Sequence, residues 1–216
     1  MAHAPDASWP LAVVTSYSEA QQRQLENLNA CVEGRLTGHR LRHVQGVAAT
    51  ARWLASHYGV DVFTAEAAGL LHDWDKKLTP EELWDKARGC GVDVPNDQRL
   101  TPLLHAWTAA ASLPAVFPDL PPEVFRAIGR HTVGDVAMEP LDMVVYIADM
   151  LEPGRQGLSF DALRVQAGRV TLPELFALCH RSSLAYLLDQ GRYVYPGAID
   201  VWNAWCDRIP AAQPRA

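Results

Sequence analysis

The sequence has no surplus of basic charge: 19 Lys and Arg stand against 25 Asp and Glu, for a net charge of −6. A surface that grips nucleic acid by neutralising phosphates needs Lys and Arg in excess on one face, so that class of function is set aside and any anion site must be local. Cysteine is scarce. Cys31, Cys90, Cys179 and Cys206 lie far apart, with no pair at the close spacing of a zinc ribbon or a redox motif. A chain of 216 residues does not need disulfide staples, which suits a reducing cytoplasm. No run approaches the roughly 20 apolar residues of a membrane span. The opening MAHAPDASWPLAVVTSYSEAQ has only a short apolar patch with no basic region before it, which argues against a secretory signal. Internal repeats, low-complexity tracts and linkers long enough to divide the chain into independent domains are also missing.

What is present is ordinary globular material, 49% apolar and 20% charged, enough to bury a substantial core within one domain. In HRLRHVQGVAATARWLASHYG, Leu41, Val44, Ala48, Ala51, Ala55 and Tyr58 recur at steps of three and four, the spacing of an amphipathic helix, and Gly59 suits its end. Helix starts are written at Asp61, at Thr79-Pro80 with Glu82, at Thr101-Pro102, at Pro121-Pro122-Glu123 and at Thr171 with Glu174. MVVYIAD read alone passes for a buried strand, but its neighbours are helical and convincing alternating segments between hairpin turns are absent. The expectation is an all-α, single-domain helical bundle over residues 18–208, with a flexible N-terminal arm at 1–17 and a frayed tail at 209–216. Trp53, Trp74 and Trp84 fall in helical segments, where core or rim packing is their expected role.

Against this pattern the stretch AAGLLHDWDKK stands out, because an apolar helical run ends in His72, Asp73, Asp75, Lys76 and Lys77. Burying such groups without partners costs several kcal/mol or forces their pKa values to shift. His43 lies beside the apolar stripe, where a lone histidine is usually a hydrogen-bonded boundary residue. Asp149 follows the apolar VVYIA and needs a strong partner. His105 and His131 punctuate further apolar runs; Gly134 fits the position after a helix and puts His131 in an exposed last turn, where a polar helix cap serves equally well. Two His and two Asp together are a ligand set for divalent zinc, iron or manganese that leaves positions open for water and substrate. Adjacent helical residues diverge by about 100°, so His72 and Asp73 share one ion only near a helix end or distortion.

Arg40-x-x-His43, AGLLHDWDK, LLHAWTAA, HTVG and YIADMLEPGR occur in the order and approximate spacing of the HD-domain phosphohydrolases. The set specifically resembles the YqeK-type symmetrical bis(5'-nucleosyl)-tetraphosphatases, over roughly residues 36–203, and YLLDQGRYVYPGAIDVWN resembles that family's closing helix and loop. The resemblance implies an HD-type helical bundle with His43, His72, Asp73 and Asp149 as metal ligands. Iron is the first choice of ion, with manganese, cobalt or zinc as alternatives, and one or two ions. His105 and His131 match further histidines near the centre, ligating a second ion or binding phosphate. Arg40, Lys76, Thr132 and Arg155 match a polyphosphate path that His43 also borders, while Arg192, Tyr195 and Pro196 belong to a segment beside a nucleoside.

The implied reaction is symmetrical cleavage of diadenosine tetraphosphate to two ADP, with metal-bound hydroxide as nucleophile and Asp73 and Lys76 in catalytic roles. The partner is thus a small dinucleoside polyphosphate, without nucleic acid or membrane, and a homodimer is allowed. Two alternatives stay open: an HD phosphohydrolase for nucleoside triphosphates, guanosine polyphosphates or phosphomonoesters, and a nucleotide-binding regulator without turnover. One residue departs from the family pattern. Asp75 stands where a small residue is usual, to pair with Lys76 or Lys77 or to weaken anion affinity nearby.

Overall fold

Short side chains at the head of each segment decide where helices begin. In a computed structural model, which describes residues 9, 10, 13 and 15–209, ten α-helices follow one another, and no strand occurs among the described residues. Ser18 caps α1 (Glu19–Arg35) in a reciprocal box with Gln21, and α2 (Gly38–Tyr58) stops at Gly59, whose φ of 71° only glycine adopts without strain. The Asp61 carboxylate accepts from the Thr64 N–H to open α3 (Val62–Leu71), and Thr79 with Glu82 boxes the start of α4 (Pro80–Gly89). Proline near the first position opens α5 (Thr101–Val116), α6 (Pro122–Arg130) and α7 (Pro140–Leu151). Then come α8 (Leu158–Gln166), α9 (Leu172–Asp189), boxed by Thr171 and Glu174, and α10 (Pro196–Trp205). All five helix starts expected from the sequence are therefore occupied.

MVVYIAD belongs to α7, which is buried on nearly every side from Leu141 to Ala148. A helix apolar all round belongs at the centre of a bundle. It packs against α2, α3, α6, α8 and α9 in one domain. The α2 and α3 backbones meet without side chains between them, since a Cβ on Gly69 would stand 2.8 Å from the Ala48 Cα. That contact brings the polar residues of α2 close to the end of α3. Trp53 and Trp84 are buried, and Trp74 is held between the Arg35 guanidinium at 4.6 Å and the edge of Phe117.

Most of the expected arm and nearly all of the expected tail lie outside the described residues; Trp9 is described, and its indole N–H donates to the Leu151 carbonyl at 2.9 Å. No helix among the described residues is long and apolar enough to cross a membrane.

Asp75 pairs with neither Lys76 nor Lys77. Its fully buried carboxylate accepts from Lys86 Nζ at 2.6 and 2.7 Å and from the Thr108 hydroxyl at 2.8 Å, and Arg35 stands at 3.5 Å. It ties α1, α4 and α5 together. Removing one partner of a buried pair strands the other, at about 3–5 kcal/mol, and the partial exposure of Lys86 puts Asp75→Ala at the lower end of that range. Urea denaturation should show this loss; a change below about 1 kcal/mol would contradict a structural role.

Candidate functional site

Four helix ends and one helix middle deliver the polar residues to a single place. His43 lies on the inner face of α2. The α-helical geometry of α3 stops at Leu71, and His72 and Asp73 lead into tighter turns in which the Lys76 N–H bonds the Asp73 carbonyl. His105 comes from the start of α5, His131 from just beyond α6 and Asp149 from the last turn of α7. The helix end expected at His72 is thus what turns two adjacent side chains toward one point.

His43 Nε2 stands 3.3 Å from His72 Nε2, 3.1 Å from Asp149 Oδ1 and 3.7 Å from Asp73 Oδ2. His72 Nε2 lies 3.8 Å from Asp73 Oδ2 and 3.9 Å from Asp149 Oδ1. Donors bonded to one ion at about 2.1 Å are separated by about 3.0–4.2 Å, so each of these five distances suits a pair of donors on one ion. The other oxygen of Asp73 faces the remaining histidines, with Oδ1 3.3 Å from His105 Nε2 and 4.0 Å from His131 Nε2, themselves 3.2 Å apart.

The far side of every ring explains the near side. His72 Nδ1 donates to the Gly69 carbonyl at 2.7 Å, His105 Nδ1 to Pro102 at 2.9 Å and His131 Nδ1 to Ile128 at 2.6 Å. His43 Nδ1 donates to Glu152 Oε1 at 3.1 Å. With Nδ1 so committed, each ring in its neutral form presents a bare Nε2 lone pair to the cluster. Lone pairs facing each other at 3.2–3.3 Å repel unless positive charge lies between them. Neutral imidazole and carboxylate are ligands that divalent ions of this kind accept, and the donor set fits a divalent cation.

The buried groups also move one another's titration, in opposite directions, and a proton on His43 Nε2 competes with a cation for that nitrogen. Burial would push His43 down, but its hydrogen bonds to Asp149 and then Glu152 carry it up to about 9. His131 is driven down to about 3 by burial and then by the His72 and His105 charges. Burial opposes ionisation of Asp149, yet the His43 hydrogen bond and the charges of His72 and Arg155 hold it well below the carboxylate range. The carboxylates stay ionised, and three cations border them. Arg40 Nη1 donates to Asp73 Oδ2 at 2.8 Å, Arg155 Nη2 to Asp149 Oδ1 at 2.7 Å, and Lys76 Nζ sits over the His105 ring, 3.2 and 3.3 Å from its nitrogens. Burial, followed by repulsion from Arg40 and Arg155 against the pull of the carboxylates, lowers the Lys76 pKa.

A family model of the HD domain matches residues 40–154, from Arg40 to just past Glu152. The chain belongs to the HD domain family. Among its relatives is the symmetrical bis(5'-nucleosyl)-tetraphosphatase of Bacillus subtilis (strain 168), 29% identical over 178 residues that cover 82% of this chain and 95% of that one. The protein of the same description from Halalkalibacterium halodurans is 30% identical over 176 residues, 80% of this chain and 91% of the relative. A crystal structure described as a predicted HD superfamily hydrolase involved in NAD metabolism, from Clostridium acetobutylicum, is similar with a TM-score of 0.79 and 29% identity over 85% of this chain and 97% of that one.

The HD-domain cluster gathers His43, His72, Asp73, His105, His131 and Asp149, with Arg40, Lys76 and Arg155 at its border. His131 departs from expectation: it is buried, not exposed, because its Nδ1 bond to Ile128 folds the ring inward. Thr132 follows it, with a buried hydroxyl that has no hydrogen-bond partner. Arg192 lies over Tyr186 at 5.7 Å, and Pro196 begins α10. Tyr195 packs on Trp107 and lines an open groove of about 660 Å³ with Val133 and Gly134, two and three residues beyond His131. None of these four hydrogen-bonds to the cluster.

Sequence reasoning passed over Glu152, although it stands within YIADMLEPGR. Its carboxylate also accepts from the Gly154 N–H at 2.6 Å, and a Cβ on Gly46 or Gly154 would come within 2.8 Å of it. The only signal was an acidic residue three places after Asp149.

Proposed function

We propose that this HD-domain protein is a divalent-metal phosphohydrolase that cleaves dinucleoside tetraphosphates symmetrically, diadenosine tetraphosphate to two ADP, in the reducing cytoplasm where its free thiols persist. The observation that carries the metal assignment is the convergence of four Nε2 lone pairs on Asp73 and Asp149. The substrate is supported by relatives of that description that align over nearly their whole length. His43, His72, Asp73 and Asp149 would hold one ion, and His105 and His131, which face the other oxygen of Asp73, would hold a second; iron is the first choice, with manganese, cobalt and zinc as alternatives. A divalent cation there supplies Lewis-acid activation of water and of a phosphoryl oxygen.

The protein's own groups do the rest by position and charge, as phosphoryl transfer requires. Arg40 and Arg155, each about half exposed, give one N–H to a site carboxylate and keep others free for phosphate oxygens. Lys76 faces the same space as a point charge close to the inner phosphates. Asp73, whose ionised form the neighbouring His72 and His105 favour against burial, stays a ligand and is too weak a base to serve otherwise. Water attacks one of the two inner phosphorus atoms, and a new P–O bond forms there as the bond from that phosphorus to the central bridging oxygen breaks. One ADP leaves with the bridging oxygen, and the attacked half is the second ADP while water's protons pass to solvent.

Protein loaded separately with Fe²⁺, Mn²⁺, Co²⁺ or Zn²⁺ and given diadenosine tetraphosphate should yield ADP as the sole nucleotide product on anion-exchange chromatography. Formation of ATP and AMP would refute the symmetrical cut. Hydrolysis of a nucleoside triphosphate or a guanosine polyphosphate instead would move the substrate, and nucleotide binding without any turnover would make the protein a regulator.

A further inference from the structure

The end of α7 is electrostatically awkward. Asp149 lies in its last turn and Glu152 directly follows, yet a helix C-terminus already carries the negative end of the dipole, and the last turn holds no basic residue. Its final carbonyls also lack partners within the helix. Arg155 answers Asp149 and the Trp9 indole N–H shares the Leu151 carbonyl, but the widest set of contacts comes from one side chain of α8. Arg164 Nε donates to the Leu151 carbonyl at 2.9 Å, and Nη2 donates to the carbonyls of Glu152 at 2.7 Å and Arg155 at 2.6 Å. Nη1 is held by Asp161 at 2.8 Å, and the side chain is only 8% exposed.

We infer that Arg164 is a positioning residue for the carboxylate side of the centre: by clamping three carbonyls of the 151–155 turn it sets where Asp149, Glu152 and Arg155 point. The turn it grips is the one that orders the site. Within it the Arg155 N–H bonds the Glu152 carbonyl, and the Arg155 side chain returns to both the carbonyl and the carboxylate of Asp149. Arg164 touches none of the proposed ligands and lies outside residues 40–154, so it acts through the backbone and completes the HD site from beyond the matched region. Lysine is a poor substitute, because a compact ammonium lacks the planar fork that reaches several carbonyls at once.

The inference rests on the reading that His43, His72, Asp73 and Asp149 hold a divalent ion. Co²⁺ titration of the full chain, followed by visible absorption well below the melting temperature, tests it. Arg164→Ala and Arg164→Lys should each bind Co²⁺ at least about tenfold more weakly, with an altered absorption band and wild-type helicity by circular dichroism. Binding within twofold of wild type and an unaltered band would overturn the positioning role, even if the melting temperature falls, since that fall alone is a purely structural effect. Should Arg164→Ala fail to fold, Arg164→Lys decides by the same titration. His72→Ala serves as the control that separates the two claims: wild-type Co²⁺ binding there removes the ion reading itself, whereas loss there with retention in the Arg164 variants removes only the clamp.

Discussion

His72→Ala and Asp73→Asn should each cut hydrolysis of diadenosine tetraphosphate by more than about 100-fold, the upper end of what losing an outer partner of a metal ligand costs, while circular dichroism stays close to wild type. His72 is fully buried, with its Nδ1 committed to Gly69 and its Nε2 facing His43, so no neighbouring group can take its place. Asp73 is more exposed to loss still, because its two oxygens face the two histidine pairs separately. Asparagine keeps the shape but puts an N–H₂ against lone pairs and removes the charge that Arg40 pairs with. The fold should survive, since the helices meet through apolar contacts behind the cluster. Elemental analysis should show metal lost in both variants, and full turnover in either would contradict the assignment.

The features legible in the sequence were those written locally. The apolar spacing of α2, the boxes at Thr79 and Thr171 and the stop at Gly59 all depend on residues within four positions of each other, and all appear where expected. His43, the His72-Asp73 pair and Asp149 were legible for the opposite reason, as polar groups misplaced in apolar helical runs. What escaped depends on distant partners. Asp75 finds Lys86 and Thr108, Glu152 finds His43 across 109 positions, and Arg164 satisfies main-chain carbonyls that no side-chain pattern announces. His131 has the right location and the wrong exposure, because a helix end packed against other helices is as buried as a helix middle.

Glu152→Ala should weaken divalent-ion affinity by about 10–100-fold, the usual effect of removing the outer partner of a ligating histidine, with hydrolysis falling in step. In the wild type the carboxylate holds the Nδ1 proton of His43, so that Nε2 is the nitrogen turned toward the cluster; alanine leaves that N–H unpaired in a buried site and frees the ring to turn. Glutamine should fall between, since one amide oxygen can accept from His43 or from the Gly154 N–H, but its N–H₂ must then face the other donor. Gly46→Ala provides the sharper check, because two effects of opposite sign meet there. Alanine in place of glycine inside a helix ordinarily stabilises by about 0.8–1 kcal/mol. Here the added Cβ would stand 2.8 Å from Glu152 Oε2, so the carboxylate must shift and His43 with it. Weaker Co²⁺ binding without loss of helicity in Gly46→Ala, matching the direction of Glu152→Ala, would mark Glu152 as the group that aims His43. Unchanged Co²⁺ binding in both variants would mean that the neighbouring helices hold the ring unaided.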